Sequence, residues 1–239
     1  MTSQLPRPLW AERPSLRAFW VAIRETPEWI AARTDTLLSE LRSPTGITEW
    51  QTHTGDRWAG PPAKMTDFVR SSVVRDRPTG NADKGEPLSD EGYSFILSGN
   101  ATGVALQIQV AAGAAVLAAR LPMHTLLIKF RETSPGGVTS ELGDAVCAAV
   151  ASTWEPSTLA LSDSPTNREA RRGGWKINVG YRTWISAAVG AVKEVAPGLS
   201  TTKLADGTMI SAPDDWPAKA VVDSMMASLK ANGLDEVPH

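Results

Sequence analysis

The chain has one cysteine, Cys147, and three histidines, His53, His124 and His239, among 239 residues. A lone cysteine excludes an intramolecular disulfide and points to a reducing compartment. With no cysteine pair and only scattered histidines, no zinc spacing is present and no metal site is expected. Cys147 sits in Ala145-Val-Cys-Ala-Ala-Val150, where a buried small hydrophobe is a better reading than a nucleophile. Excess charge of either sign is also missing: the formal net charge is −2 and the pI is near 6.0. That balance counts against a nucleic-acid partner, whose binder usually carries a basic face. No long uninterrupted apolar run occurs. Even the low-charge stretch from Leu97 to Leu121 holds Asn100, Gln107, Gln109 and several glycines, so neither a membrane helix nor membrane binding is expected. The opening Met1-Thr-Ser-Gln-Leu-Pro-Arg-Pro8 lacks the apolar core of a signal peptide, and the expected location is cytoplasmic. No Gly-x-Ser-x-Gly elbow, phosphate-binding loop or dinucleotide fingerprint appears, and no cofactor is expected.

Against these absences stand nine tryptophans and an apolar fraction of 42%. Tryptophan supplies large rigid contact area to cores and interfaces. The chain is thus rich in residues that pack and poor in residues that react. Trp20, Trp29, Trp154 and Trp184 fall on apolar faces of predicted elements and read as core. Trp10, Trp50, Trp58 and Trp216 are flanked by polar or breaker residues, so these are the ones expected to be partly exposed. Trp58 and Trp216 are the candidate anchors for a partner.

The local pattern is mixed. Residues 1–15 hold three prolines and read as a loose arm, followed by an α+β domain over 16–239. Phe19–Ile23 reads as a first strand. Thr26-Pro27-Glu28 opens a helix with a capping hydroxyl, an early proline and an acid at the positive dipole end. Ile30, Thr34, Leu37, Leu38 and Leu41 follow at helical spacing. A second strand is expected over 47–54 and a helix from Pro61-Pro62. Residues 76–92 form a long polar loop that divides the domain into two possible sub-halves. Strands are expected at Tyr93–Leu97, Val104–Val110 and Thr125–Phe130. Val104, Leu106, Ile108 and Val110 share one face, with Gln107 and Gln109 on the other, as in an antiparallel sheet with one wet side. A helix is expected at Ser140–Trp154, a strand at Thr158–Leu161, a short helix near Thr166–Arg172 and a long strand over Trp175–Ile185. A strand at Thr208–Ser211 and a helix after Pro217 complete the pattern. The fold class is therefore α+β, with a mixed, largely antiparallel sheet flanked by about four helices.

Acids supply the remaining candidates. Asp83, Glu86, Asp90 and Glu91 lie on the polar loop and fit either solvated charge or contact with a basic partner. Asp214-Asp215 read as a cap for the last helix. A paired-carboxylate hydrolase using scattered acids with His53 and His124 is one alternative, and an adaptor or chaperone for a secreted effector is another.

Two stretches carry a family resemblance: Glu91-Gly-Tyr-Ser-Phe-Ile-Leu-Ser-Gly-Asn100, and Val179-Gly-Tyr-Arg-Thr-Trp-Ile-Ser186 with Ala205-Asp-Gly-Thr-Met-Ile-Ser-Ala212. With the opening strand and helix, they resemble the bacterial immunity protein 52 family. Gly180, Tyr181 and Trp184 match its signature, with Tyr and Trp in swapped order, and read first as structural. The resemblance implies an antidote, without catalytic residues or cofactor, to a toxin of a polymorphic or type VI secretion system, such as a nuclease. It would bind the toxin and block its active site or its access to substrate. On that reading the loop acids would mimic phosphate charge toward a basic cleft.

Overall fold

Leu16, Ala18 and Trp20 alternate with Ser15 and Arg17, and this period of two forms the first strand, β1 (Ser15–Trp20). The strand starts earlier than the Phe19–Ile23 expected from β-propensity, because inward alternation begins at Leu16. A computed structural model describes residues 7–77 and 85–239. Its strands are β1, β2 (Trp50–Thr52), β3 (Tyr93–Asn100), β4 (Val104–Ala112), β5 (His124–Glu132), β6 (Thr158–Ser162), β7 (Arg182–Ser186), β8 (Ser200–Leu204) and β9 (Gly207–Ser211). They form one nine-stranded sheet in the order β2-β3-β4-β5-β1-β6-β7-β9-β8. Every pairing is antiparallel. Five α-helices are present among the described residues: α1 (Pro27–Thr45), α2 (Pro62–Ser71), α3 (Ser140–Trp154), α4 (Ser164–Ala170) and α5 (Ala218–Ala231). The α+β class therefore holds, and each of the five helices lies where the local pattern places one.

Register separates the two faces. Leu16 lies opposite Ile128 on β5 and Leu161 on β6, and Ala18 opposite Leu126 and Leu159. These side chains share the first face with Trp20. Helices α1 to α3 cover it: Trp154 of α3 lies 5.1 Å from Trp20, and Trp29 of α1 meets Trp154 edge-on at 5.6 Å. Phe68 of α2 packs on Phe95 of β3. Local chemistry sets the helix ends. The Thr26 hydroxyl accepts from the Trp29 N–H, and Gly46, at φ 70°, closes α1 in the left-handed conformation. Thr139 caps α3 in the same way.

The second face is half covered. Segment 171–181 packs there beside α4, with Trp175 edge-on to Phe19, and α5 packs on α4. This segment corrects the long strand expected over 175–185. Only Arg182–Ser186 joins the sheet; Trp175, Ile177 and Val179 are buried across it, and residues 175–177 pair with the tail at 235–237. The second strand is likewise shorter than expected, at three residues. Strand β8 was not expected at all, because Ser-Thr-Thr-Lys-Leu is almost wholly exposed and carries no apolar alternation.

Two further expectations are corrected. The arm is anchored from Leu9 on: Leu9–Glu12 form a 3-10 turn and Trp10 is fully buried. The polar loop is clamped at its base, where Val74 and Asp76 N–H groups donate to Gly92 and Glu86 carbonyls. Strands β2 and β3, on either side of that loop, are neighbours in the sheet.

Candidate interaction surface

The signature stretch builds a structural hub. At Gly180 a Cβ would come within 2.2 Å of the Leu161 carbonyl oxygen, so the backbones of β6 and the approach to β7 meet where only glycine fits. Tyr181 is buried and its hydroxyl donates to the Trp216 carbonyl at 2.7 Å. Burial and the nearby Asp163 charge push its phenol up to about 12. Trp184 is buried, with its indole N–H on the Leu204 carbonyl at 2.9 Å. These placements fit the structural reading of all three.

Between them lies a residue that the sequence reading passed over. Arg182 is buried, and its guanidinium donates to Asp144 at 2.5 Å, to Asp214 at 3.0 and 3.3 Å, and to the Tyr181 and Ala212 carbonyls at 3.1 Å each. Asp214 also accepts from the Trp10 indole at 2.6 Å and from the Ser140 hydroxyl. Burial opposes the charge on Asp214, but these donors outweigh it and hold the carboxyl below the usual range. Asp214 therefore is not the helix cap that was expected. The cap of α5 is Pro217, without a side-chain bond. Asp214 instead ties the N-terminal turn, α3, β7 and the approach to α5 together. The signal in the sequence was an arginine inside an apolar strand, which needs a buried acid. Cys147, on the same helix as Asp144, is buried, and desolvation pushes its thiol up, which makes it unreactive.

A second polar cluster involves His124. Its Nε2 lies 3.0 Å from Glu25, and the two side chains are 1% and 9% exposed. Burial would raise the Glu25 carboxyl, but the adjacent His124 ring, together with hydrogen bonds from the Trp20 indole and the Gly113 N–H, lowers it overall. The His124 Nε2 itself accepts from the Ala114 N–H. The pair is sealed beneath Trp20, whose ring lies 5.9 Å from the imidazole. His53 is exposed on the turn after β2. Of the two histidines named for a hydrolase, His124 is thus enclosed with Glu25 and His53 is at the surface.

The candidate partner contacts are dispersed. Asp83 lies outside the described residues. Glu86 is exposed at the mouth of the clamped loop, and Asp90 and Glu91 are exposed in a 3-10 turn at its base. Trp58 is 7% exposed, stacked on Phe95 at 5.8 Å and edge-on to Phe68 at 5.6 Å. The expected exposure of Trp58 is therefore corrected, as it is for Trp10 and Trp50. The polar neighbours of these indoles lie outside the packed ring, which sequence adjacency does not reveal. Trp216 is half-buried against Gly198, as expected of a partly exposed indole.

What stands open is the second face of β3, β4, β5 and β1. Register aligns Ser98, Gln107, Lys129 and Ser15 in one row across it, and Ile96, Gln109, Leu127 and Arg17 in the next. Gln107, Gln109, Arg17 and Lys129 are exposed. The first of these rows lines a broad concavity of about 880 Å3, bordered by Arg13, Asn100 and Arg131 and by the acids Glu12 and Glu132. No helix of the described residues is long and apolar enough to cross a membrane.

No family model matches the chain, so the resemblance to the immunity protein 52 family rests on the stretches quoted above. No curated protein sequence matches either. Among solved structures, the chain is similar to a Pseudomonas aeruginosa T6SS protein, PA0821, at 12% identity and a TM-score of 0.45. That alignment covers 92% of this chain and 72% of the other.

Proposed function

We propose that the protein acts by binding, and that it is an antidote which occupies and neutralises a cognate bacterial toxin. The observation that carries this reading is the uncovered sheet face. Four strands at ~4.8 Å spacing and about 25 Å long give a patch of roughly 500 Å2 in projection. That is the order of the ~800 Å2 of accessible surface each partner contributes to a stable complex. The face is built on regular strands, so little order is lost on docking. Such a surface can cover a toxin's active site or its path to substrate without any cofactor. The enclosed Glu25–His124 pair and the Arg182 hub support binding over turnover, because both are engaged in holding elements together.

The test is co-expression with toxin domains encoded beside the gene. Restored growth and a one-to-one complex on gel filtration are expected. Failure of every neighbouring candidate to co-purify overturns the reading. An effector that regains full toxicity on release favours an adaptor instead. Hydrolysis of ester or phosphoester substrates by the pure protein, lost in Glu25→Gln, favours the enzyme.

A further inference from the structure

The open face carries a charge of its own. Lys129 and Arg131 stand two residues apart on β5 and so project from the same side, about 7 Å apart along the strand. Ser15 pairs with Lys129, and Arg17, two residues on, projects beside them from β1. Arg13, just before β1, borders the same concavity. All four cations are exposed or partly so, and among the described residues no carboxylate lies within ion-pair distance of any of them. Arg131 reaches only the Asn100 amide oxygen, at 3.5 Å. Some exposed cations elsewhere are paired, Arg57 with Glu49, Arg70 with Glu28 and Asp67, Lys219 with Asp223. Others, such as Arg42 and Lys230, stand singly on helices. What distinguishes this face is that four such cations gather on it. On this face the nearest acids are Glu12, at the rim, and Glu132, which Arg7 and the Gly136 N–H already engage.

In a chain of net charge −2, four cations without an ion pair among the described residues thus gather on a sheet face that none of the described helices covers. Like charges this close repel one another, and an anionic partner relieves that repulsion. The face also offers neutral hydrogen-bonding groups, Ser98, Gln107 and Gln109, and the half-buried Leu127 and Ile96 between them. It presents no aromatic ring on which a base could stack, since Phe130 points to the opposite face and is buried. Mixed cations, amides and small apolar spots match an acidic protein surface better than a nucleic acid.

We infer that the open face of β3, β4, β5 and β1 is the docking surface for an acidic patch on a protein partner, with Arg13, Arg17, Lys129 and Arg131 as its charged contacts. If the partner is the toxin proposed above, the toxin presents acid and the antidote presents base. This polarity is opposite to phosphate mimicry by the acidic loop.

Two measurements test this. The first is independent of any toxin. The 15N-labelled protein is titrated with poly-L-glutamate at low salt, and with a DNA duplex and a single-stranded RNA of equal charge. Shifts centred on Gln107, Lys129, Arg131 and Arg17 are expected with poly-L-glutamate. They should weaken at least tenfold in the doubly reversed Lys129→Glu/Arg131→Glu variant and remain in Lys219→Glu. Shifts that map elsewhere, or tighter binding of either nucleic acid at these residues, overturn the inference. The second uses the neighbouring toxin in the growth assay. Lys129→Glu/Arg131→Glu should lose protection by at least tenfold in tolerated induction while keeping the wild-type melting curve. Protection that survives this variant and fails in Glu86→Lys/Asp90→Lys/Glu91→Lys overturns the inference but leaves the antidote reading standing. If the wild type protects against no neighbouring toxin, the antidote reading fails and the poly-L-glutamate titration alone decides the docking surface.

Discussion

Replacing Arg182 by methionine should destabilise the protein by about 3 kcal/mol. The side chain keeps its length and loses its charge and its donors. The Ala212 carbonyl, bonded at 3.1 Å, is then left short of a partner, whereas the Tyr181 carbonyl keeps the Ala212 N–H at 2.9 Å. An unsatisfied buried acceptor costs about 1–3 kcal/mol, and the lower end applies where water can enter. Asp214, one-quarter exposed, loses the cation it pairs with among the described residues, whereas Asp144 is 56% exposed and is resolvated cheaply. About 2 kcal/mol for the buried Ala212 carbonyl and about 1 kcal/mol for Asp214 give the total. At this chain length that corresponds to a melting temperature lower by roughly 6–12 °C. Urea unfolding at pH 7 should show a lower midpoint with an unchanged m-value. The pH dependence gives a second check. The folded-state pKa of Asp214 is depressed, so its contribution is fully present above the ordinary aspartate value near 3.9 and is lost as pH falls through the depressed value. The gap between wild type and variant should therefore narrow in acid. A loss below about 1 kcal/mol, or a gap that stays constant from neutral pH into strong acid, would refute the assignment of Arg182 as the hub.

Three further outcomes are expected. Gly180→Ala should cost about 1–3 kcal/mol in urea unfolding, because its Cβ meets the Leu161 carbonyl at 2.2 Å; a neutral result would mean that β6 yields. Tyr181→Phe should cost about 1 kcal/mol at neutral pH through the lost bond to the Trp216 carbonyl. Because the Tyr181 phenol is raised to about 12, its protonated form contributes stability below the ordinary value near 10 that is lost as pH climbs toward 12. The variant should lack that alkaline loss, and identical alkaline melts would count against it. Trp58→Ala should cost about 3–5 kcal/mol, as expected for a ring packed on Phe68 and Phe95, and a loss under 1 kcal/mol would return Trp58 to the surface.

Elements with strong periodicity were legible in the sequence. Helix α3 runs over the residues its apolar stripe marks, and Val104–Val110 shows the alternation that β4 displays. Elements defined by distant partners were not legible. Strand β8 is almost wholly polar and is held by its pairing with β9 and by the Trp184 indole on the Leu204 carbonyl. Segment 175–181 has β-prone composition, yet residues 175–177 pair with the C-terminal tail and the segment stays outside the sheet. Trp10 and Trp58 sit among breakers in sequence, and each is buried by residues far along the chain, Trp10 by its bond to Asp214 and Trp58 by Phe95. The open face was half visible. Gln107 and Gln109 mark one wet side of a sheet, but only the register brings Lys129, Arg17 and Ser15 onto that side.

That register also explains why charge sits where it does. Strand β1 is early in the chain but central in the sheet, between β5 and β6. Placing it there needs the preceding residues to be pinned, and the Trp10–Asp214–Arg182 hub does so on the first face. Arg17 and Lys129 are then fixed on the second face by strands paired on both sides, with Arg13 just ahead of β1. The acids Glu86, Asp90 and Glu91 ride instead on an excursion between α2 and β3, which lies next to the short strand β2 at the end of the sheet. A binding surface gains affinity from groups that are already in place, since ordering mobile groups on docking opposes association. By that criterion the cationic face, built on the interior strands, is the better preorganised of the two charged surfaces, and the hub that stabilises the fold also holds it in position.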